Sequence, residues 1–287
     1  MSQIIPDNWT DPHFLPTVYS LALVVAGLVC LLFIYFRRRR WHALSHREIS
    51  AWTITWADIS LLFCLLFFWS LMVAPIAGRI FPFPDPVPAD MQVWQTVLDA
   101  SLLQGGMAAI FLFFRMSQPF EKRPAFSVSG KSAGASFLCA LFYFLAFIPP
   151  RFLVEQIWTA VLSKLQSLGV PVPMDEQSVI GCFDGSAPPM AYVSLILIAG
   201  FFAPVVEELV FRAGLYRFLK GRMPRNSAII ISAGLFAFLH MNVLVFPTLM
   251  LLGVALCLSY EATGNIKVPI FFHALFNLNS IFLIALS

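Results

Sequence analysis

Charge is what this 287-residue chain has least of: Asp, Glu, Lys and Arg make up 11% of it, against 59% hydrophobic residues. A water-soluble domain carries about 25% charged residues, so a soluble globular fold is excluded. Cysteine offers no framework. Of five cysteines, Cys30, Cys64, Cys139 and Cys257 lie in apolar runs and Cys182 in a loop, with no pair at metal-ligand spacing. A single loop cysteine cannot bridge to buried ones, so no disulfide scaffold is indicated. The first fifteen residues carry Asp7 and Asp11 but no Lys or Arg, the reverse of the basic start of a secretory signal peptide. There is no internal repeat and no low-complexity tract, and with a net charge of only +3 no nucleic-acid partner is expected.

What is there is a series of apolar runs. Spans are expected at about 15–36, 56–80, 94–114, 133–148, 189–219, 227–245, 247–260 and 268–286. Each approaches the ~20 residues needed to cross a bilayer, the seventh falling shortest. The expected fold is therefore an all-α polytopic membrane protein of about eight transmembrane helices. Pro149-Pro150 is expected to end the fourth span. After it, apolar residues at 153, 154, 157, 158, 161, 162, 165 and 168 alternate with Glu155, Gln156, Ser163, Lys164 and Gln166. That is the pattern of an amphipathic helix, lying in the interface or packed on the bundle's rim. The organisation expected is 1–150 as four N-terminal spans, 151–188 as an extracytosolic loop with this helix, and 189–287 as a four-helix core.

Lys and Arg set the orientation. The loops after spans one, three, five and seven hold fourteen of the eighteen, Arg37–Arg40 among them, and the opposite side holds Arg79, Arg151 and Lys164. The loops rich in charge are therefore expected in the cytosol and both termini outside, in a multi-pass cell (inner) membrane.

One stretch within the fifth span breaks its apolar run: Pro204-Val-Val-Glu-Glu-Leu-Val-Phe-Arg212. An ionised group at bilayer depth costs from about 3 to above 10 kcal/mol, so it is paired, wetted or doing chemistry. Glu208 and Arg212 stand at i and i+4 and can pair. Glu207, roughly 100° around the helix, has no such partner on its own helix and is free to act. Asp58 and Asp99 are read as solvated near their span ends. Two further spans carry polar side chains: His240 on the sixth, and His273 and Asn277, one helical face, on the eighth.

A glutamate, two imidazoles and a carboxamide suit hydrolysis. Glu207 can serve as general base on water, with His240 sharing the proton and passing it to a leaving amine. His273 and Asn277 can donate to a tetrahedral oxyanion. No serine or cysteine lies in these motifs, so an acyl-enzyme route is not expected.

At these residues the chain resembles the CAAX prenyl endoprotease and bacteriocin-processing family (CPBP, also called Abi) of intramembrane glutamate proteases. Glu207-Glu208-x-x-x-Arg212, Phe236-x-x-x-His240 and His273-x-x-x-Asn277 follow in the family's order, and the resemblance runs from about Ala191 to Leu286. It implies that Glu207 and His240 activate water, that His273 and Asn277 stabilise the oxyanion, and that Glu208 and Arg212 support the site. It further implies a membrane-associated peptide or protein as substrate, an active site toward the cytosolic leaflet, and no cofactor. Two Glu and two His also offer zinc ligands, though without His-Glu-x-x-His spacing. The alternative is a transporter or immunity scaffold that binds through the same cluster. A transporter usually shows paired repeats or broken helices in both halves, and this sequence shows neither.

Overall fold

The computed structural model describes residues 14–44, 49–84, 87–119, 123, 126, 130, 132–172 and 188–286. Part of the expected extracytosolic loop, 173–187 with Cys182, lies outside these residues. So do Arg47, Lys122, Lys131 and the side chains of Arg37–Arg40.

Among the described residues the fold is all-helical, with eight helices of which seven are long and apolar enough to span a membrane. They are α1 Phe14–Leu44, α2 Trp56–Ile80, α3 Ala89–Ser117, α4 Ala133–Ser167, α5 Pro189–Lys220, α6 Arg225–Phe238, α7 Phe246–Thr263 and α8 Lys267–Leu286. The expected spans match these closely with three exceptions.

The first is α4. It runs unbroken for 35 residues through Pro149 and Pro150, so the amphipathic stretch is its extension and the boundary drawn at residue 150 falls inside one helix. Proline in a helix withholds an N–H from the carbonyl four residues back and crowds it. For Pro149 that carbonyl is Leu145 O, and Gly27 of α1 lies directly against it. A Cβ at Gly27 would stand 2.3 Å from Leu145 O and 2.5 Å from the Pro149 ring. The apolar helices on either side hold the two prolines in place, and α1 can pack this closely because residue 27 has no side chain.

The second is α6, which is 14 residues long. At 1.5 Å per residue that is roughly 21 Å, short of the ~30 Å hydrocarbon core. It stops because Met241 adopts φ +49°, a left-handed conformation costly for a residue with a Cβ. His240 therefore stands in the turn that ends the helix, and residues 239–245 lead to α7, capped by Asn242 Oδ1 accepting from Leu244 N at 2.9 Å.

The third concerns two aspartates. Asp58 forms a capping box with Thr55, which accepts from Asp58 N while the Asp58 carboxylate accepts from Thr55 N at 2.8 Å, a reciprocal arrangement rather than solvation alone. Asp99 is not at a span end. Because α3 begins at Ala89, Asp99 lies inside it, and its Oδ1 is buried without a hydrogen-bond partner among the described residues.

The helices fall into two groups around α5. α4 packs against α1, α7 and α8, and α7 lies between α6 and α4. α2 and α3 form a pair, and α3 runs along the first half of α5. Trp69 of α2 fixes that pair by donating its Nε1–H to Leu102 O (3.1 Å) and Leu103 O (3.2 Å). Its indole lies where a Cβ on Gly106 would be, 2.0 Å away, so only glycine fits there. The α1 face is the least covered, with 6% of its apolar window buried, which suits a helix bathed in lipid.

Candidate active site

α5 carries the Glu pair, and its backbone is locally widened on both sides of it. Ile198–Phe202 and Leu209–Tyr216 are π-helical, with α-helical Ala203–Glu208 between them. π-Turns inside helices commonly accompany functional sites, and here the first has an identifiable cause. Ala203 N bonds to Ile198 O, so Ala199 O loses its ordinary donor. The next candidate donor, Pro204, has no N–H. The carbonyl is left open about two turns before the glutamates, and the Asn277 side chain donates to it at 2.8 Å. Asn277 thus spends one amide N–H on holding the α5 backbone, a role the sequence did not reveal.

Glu208 is fully buried. Arg212 Nε stands 3.0 Å from its Oε2, close enough for an ion pair though not aligned as a hydrogen bond. The guanidinium is 1% exposed and lies over the Phe236 ring, 4.4 Å from its centroid. Cation–π attraction of that kind helps to offset its desolvation. Glu208 Oε1 accepts from His273 Nδ1 at 3.0 Å, so the pair expected from sequence is a triad. With Nδ1 committed to Glu208, the other face of the buried His273 ring turns to Glu207, Nε2 to Oε2 at 3.8 Å. His273 is thereby held between the two carboxylates.

Glu207 is less enclosed, at 16% side-chain exposure. Its Oε1 accepts from Gln104 Nε2 of α3 at 3.1 Å. Glu207, His240 and Gln104 open together onto a cavity of about 270 Å³ whose other walls include Phe63, Phe67, Met107 and Phe211. His240 Nδ1 donates to Phe236 O at 2.8 Å, which leaves Nε2 as its free ring nitrogen. Among the described residues, no three His, Cys, Asp or Glu side chains are grouped as a metal site.

The depth of His240 follows from a cluster at the other end of these helices. Glu261 near the end of α7 accepts from Tyr216 (2.5 Å) and Lys220 (2.7 Å) of α5 and pairs with Arg225 of α6. Lys220 and Arg225 therefore lie at one level. Glu207 is 13 residues back from Lys220 and His240 is 15 on from Arg225, so both stand roughly 20 Å from it. Beside this cluster, Arg217 donates to Ser50 O at 2.7 Å and Arg222 to Trp52 O at 3.3 Å, and Trp52 N donates to Arg217 O at 3.1 Å. These bonds tie the segment before α2 to the end of α5.

Of the six residues singled out in the sequence, Arg212 and His273 contact the Glu pair and His240 shares the cavity with Glu207, while Asn277 is engaged further back along α5, at Ala199 O. Two contributors escaped that reading. Gln104 is a single amide inside an apolar span, and that isolation was the available signal. Glu261 lies at the end of an apolar run, within reach of the α5–α6 basic turn.

Comparison with known proteins bears on the same helices. Residues 189–279 match the family model described as type II CAAX prenyl endopeptidase Rce1-like, so this part of the chain is similar to that family. The family is one of CAAX-type intramembrane endopeptidases. The matched segment covers α5 to α8, about a third of the chain, and leaves α1 to α4 outside. No curated protein and no solved structure matches the chain.

Proposed function

We propose that the chain is an intramembrane endopeptidase in which Glu207 activates a water molecule against a peptide bond of a membrane-associated substrate. The observation that carries this reading is that Glu207 and His240 face one cavity while Glu208, Arg212 and His273 form a buried triad directly behind Glu207. Glu207 takes one proton from water as the water oxygen bonds to the scissile carbonyl carbon. The oxyanion that forms accepts from the Nε2–H of a doubly protonated His273, whose Nδ1–H stays on Glu208, and from the second amide N–H of Asn277. The C–N bond then breaks as the proton passes, with His240, to the leaving amine. An ordered base of this kind contributes about 10²–10⁴-fold to a hydrolysis.

Glu208 and Arg212 act as positioning residues, one holding His273 and the other balancing Glu208. The apolar cavity walls and the surrounding lipid favour a substrate anchored in the membrane. The test is direct: purified protein in liposomes is expected to cleave a lipid-anchored peptide at one bond, and no product above background would end the proposal.

The orientation proposed from the charge bias puts the Lys220–Arg225 turn in the cytosol. Gly130 and Ser167 lie at opposite ends of α4, both exposed. In a cysteine-free background, an impermeant thiol reagent applied to intact cells is expected to label Ser167→Cys and not Gly130→Cys. The reverse pattern would invert the protein.

A further inference from the structure

Gln104 belongs to α3, outside the segment matched by the family, yet it makes the only hydrogen bond to Glu207 found among the described residues. It is 8% exposed. A buried amide in an apolar span is expensive unless both its ends are satisfied. Here the NH₂ end is satisfied by Glu207. The assignment of the two ends is set by chemistry, since a carboxylate only accepts. The carbonyl end, Oε1, is buried with no partner among the described residues, in a side chain that lines the cavity beside Glu207 and His240.

We infer that Gln104 positions both the base and its water. Its NH₂ holds Glu207 Oε1, which leaves Oε2 to take a proton from the water in the cavity, and its Oε1 accepts that water's second hydrogen. A water held in a protein needs two to four polar partners. The cavity has few to offer: Ser70, also on its wall, directs its hydroxyl to Phe67 O at 2.7 Å. Gln104 Oε1 and Glu207 Oε2 together supply two acceptors, one for each hydrogen of a single water. α3 is itself fixed next to this point by Trp69 on Gly106, so the amide is presented from a rigid support. The N-terminal half of the chain, on this account, contributes a group to the reaction.

The inference rests on the proposed protease reading, but one measurement is independent of it. Dicyclohexylcarbodiimide, an apolar reagent, modifies protonated carboxyls inside membranes. The Gln104 amide occupies Glu207 Oε1, so in Gln104→Met, which keeps length and loses the donor, the uncovered Glu207 carboxyl is expected to be modified severalfold faster by mass spectrometry. Glu208 should be unchanged. In the peptidase assay, kcat is expected to fall by roughly 10- to 10²-fold with KM within about threefold. Gln104→Asn, which withdraws the amide by one methylene, should lie between.

Unchanged modification and unchanged kcat would overturn the inference. So would a raised KM at constant kcat, which would mean that Gln104 binds substrate. A parallel rise in modification of both glutamates with loss of folded protein, in both variants, would reduce Gln104 to packing and also overturn it. If wild-type protein cleaves nothing, the proposed function fails, and the modification rates still decide the contact between Gln104 and Glu207.

Discussion

Glu207→Gln is expected to lower turnover of a membrane-anchored peptide by about 10²–10⁴-fold, the range for loss of a general base. Folded yield should hardly change. Glutamine has the shape of glutamate, the position keeps 16% exposure at the cavity, and Gln104 can turn its amide to pair with the new one. Because the substitution removes a proton acceptor and little else, KM should stay within a few-fold, and the variant should hold substrate without releasing product. Initial rates and binding on the same preparation check this. A variant that cleaves at the wild-type rate would take Glu207 out of the chemistry.

Glu208→Gln is expected to behave differently, although it is the next residue. Its carboxylate is fully buried between Arg212 and His273. Taking away one member of a buried ion pair strands the other, at a cost of about 3–5 kcal/mol. The Arg212 Nη atoms have no hydrogen-bond partner among the described residues, so the Phe236 and Phe211 rings would be left to offset the buried cation. The unfolding midpoint in detergent should fall clearly, and activity should fall with it because His273 exchanges a carboxylate for a neutral amide as the acceptor on Nδ1. The double variant Glu208→Gln/Arg212→Met removes the stranded charge, and it should regain much of the stability while staying inactive. Equal midpoints for Glu208→Gln and wild type would contradict the buried triad.

The contrast between these two residues shows what a sequence can carry. Glu208 and Arg212 are four apart, so their pairing follows from helical geometry alone. Glu207 was left without a local partner by the same geometry. The partners the structure supplies are distant: Gln104 on α3 and His273 on α8. No periodicity indicates which face of α3 meets α5, so Gln104 could be noticed as a lone amide but not placed. Asn277 shows a different limit. Its residue type and face were legible, but its bond to Ala199 O depends on a π-turn ahead of Pro204, and backbone register of that kind is not encoded in the apolar pattern.

Spans were legible by length and composition, and five of the eight match with ends shifted by a few residues. The misreadings came from rules about breakers. Pro149-Pro150 signals a helix end, yet tertiary packing with Gly27 carries α4 through it. The apolar run at 227–245 signals a full span, yet the left-handed turn at Met241 ends α6 early. That early end leaves His240 in the turn at the tip of α6 rather than inside a helix.

The account's central claim is that Glu207 activates water without a metal ion, and the peptidase assay under exhaustive chelation tests it most directly. Purified protein, assayed in liposomes after chelation and with its metal content measured, is expected to cleave the anchored peptide at an undiminished rate with no stoichiometric zinc. Loss of activity on chelation, restored by added zinc that the purified protein also holds at one equivalent, would contradict it and recast Glu207 and the histidines as ligands.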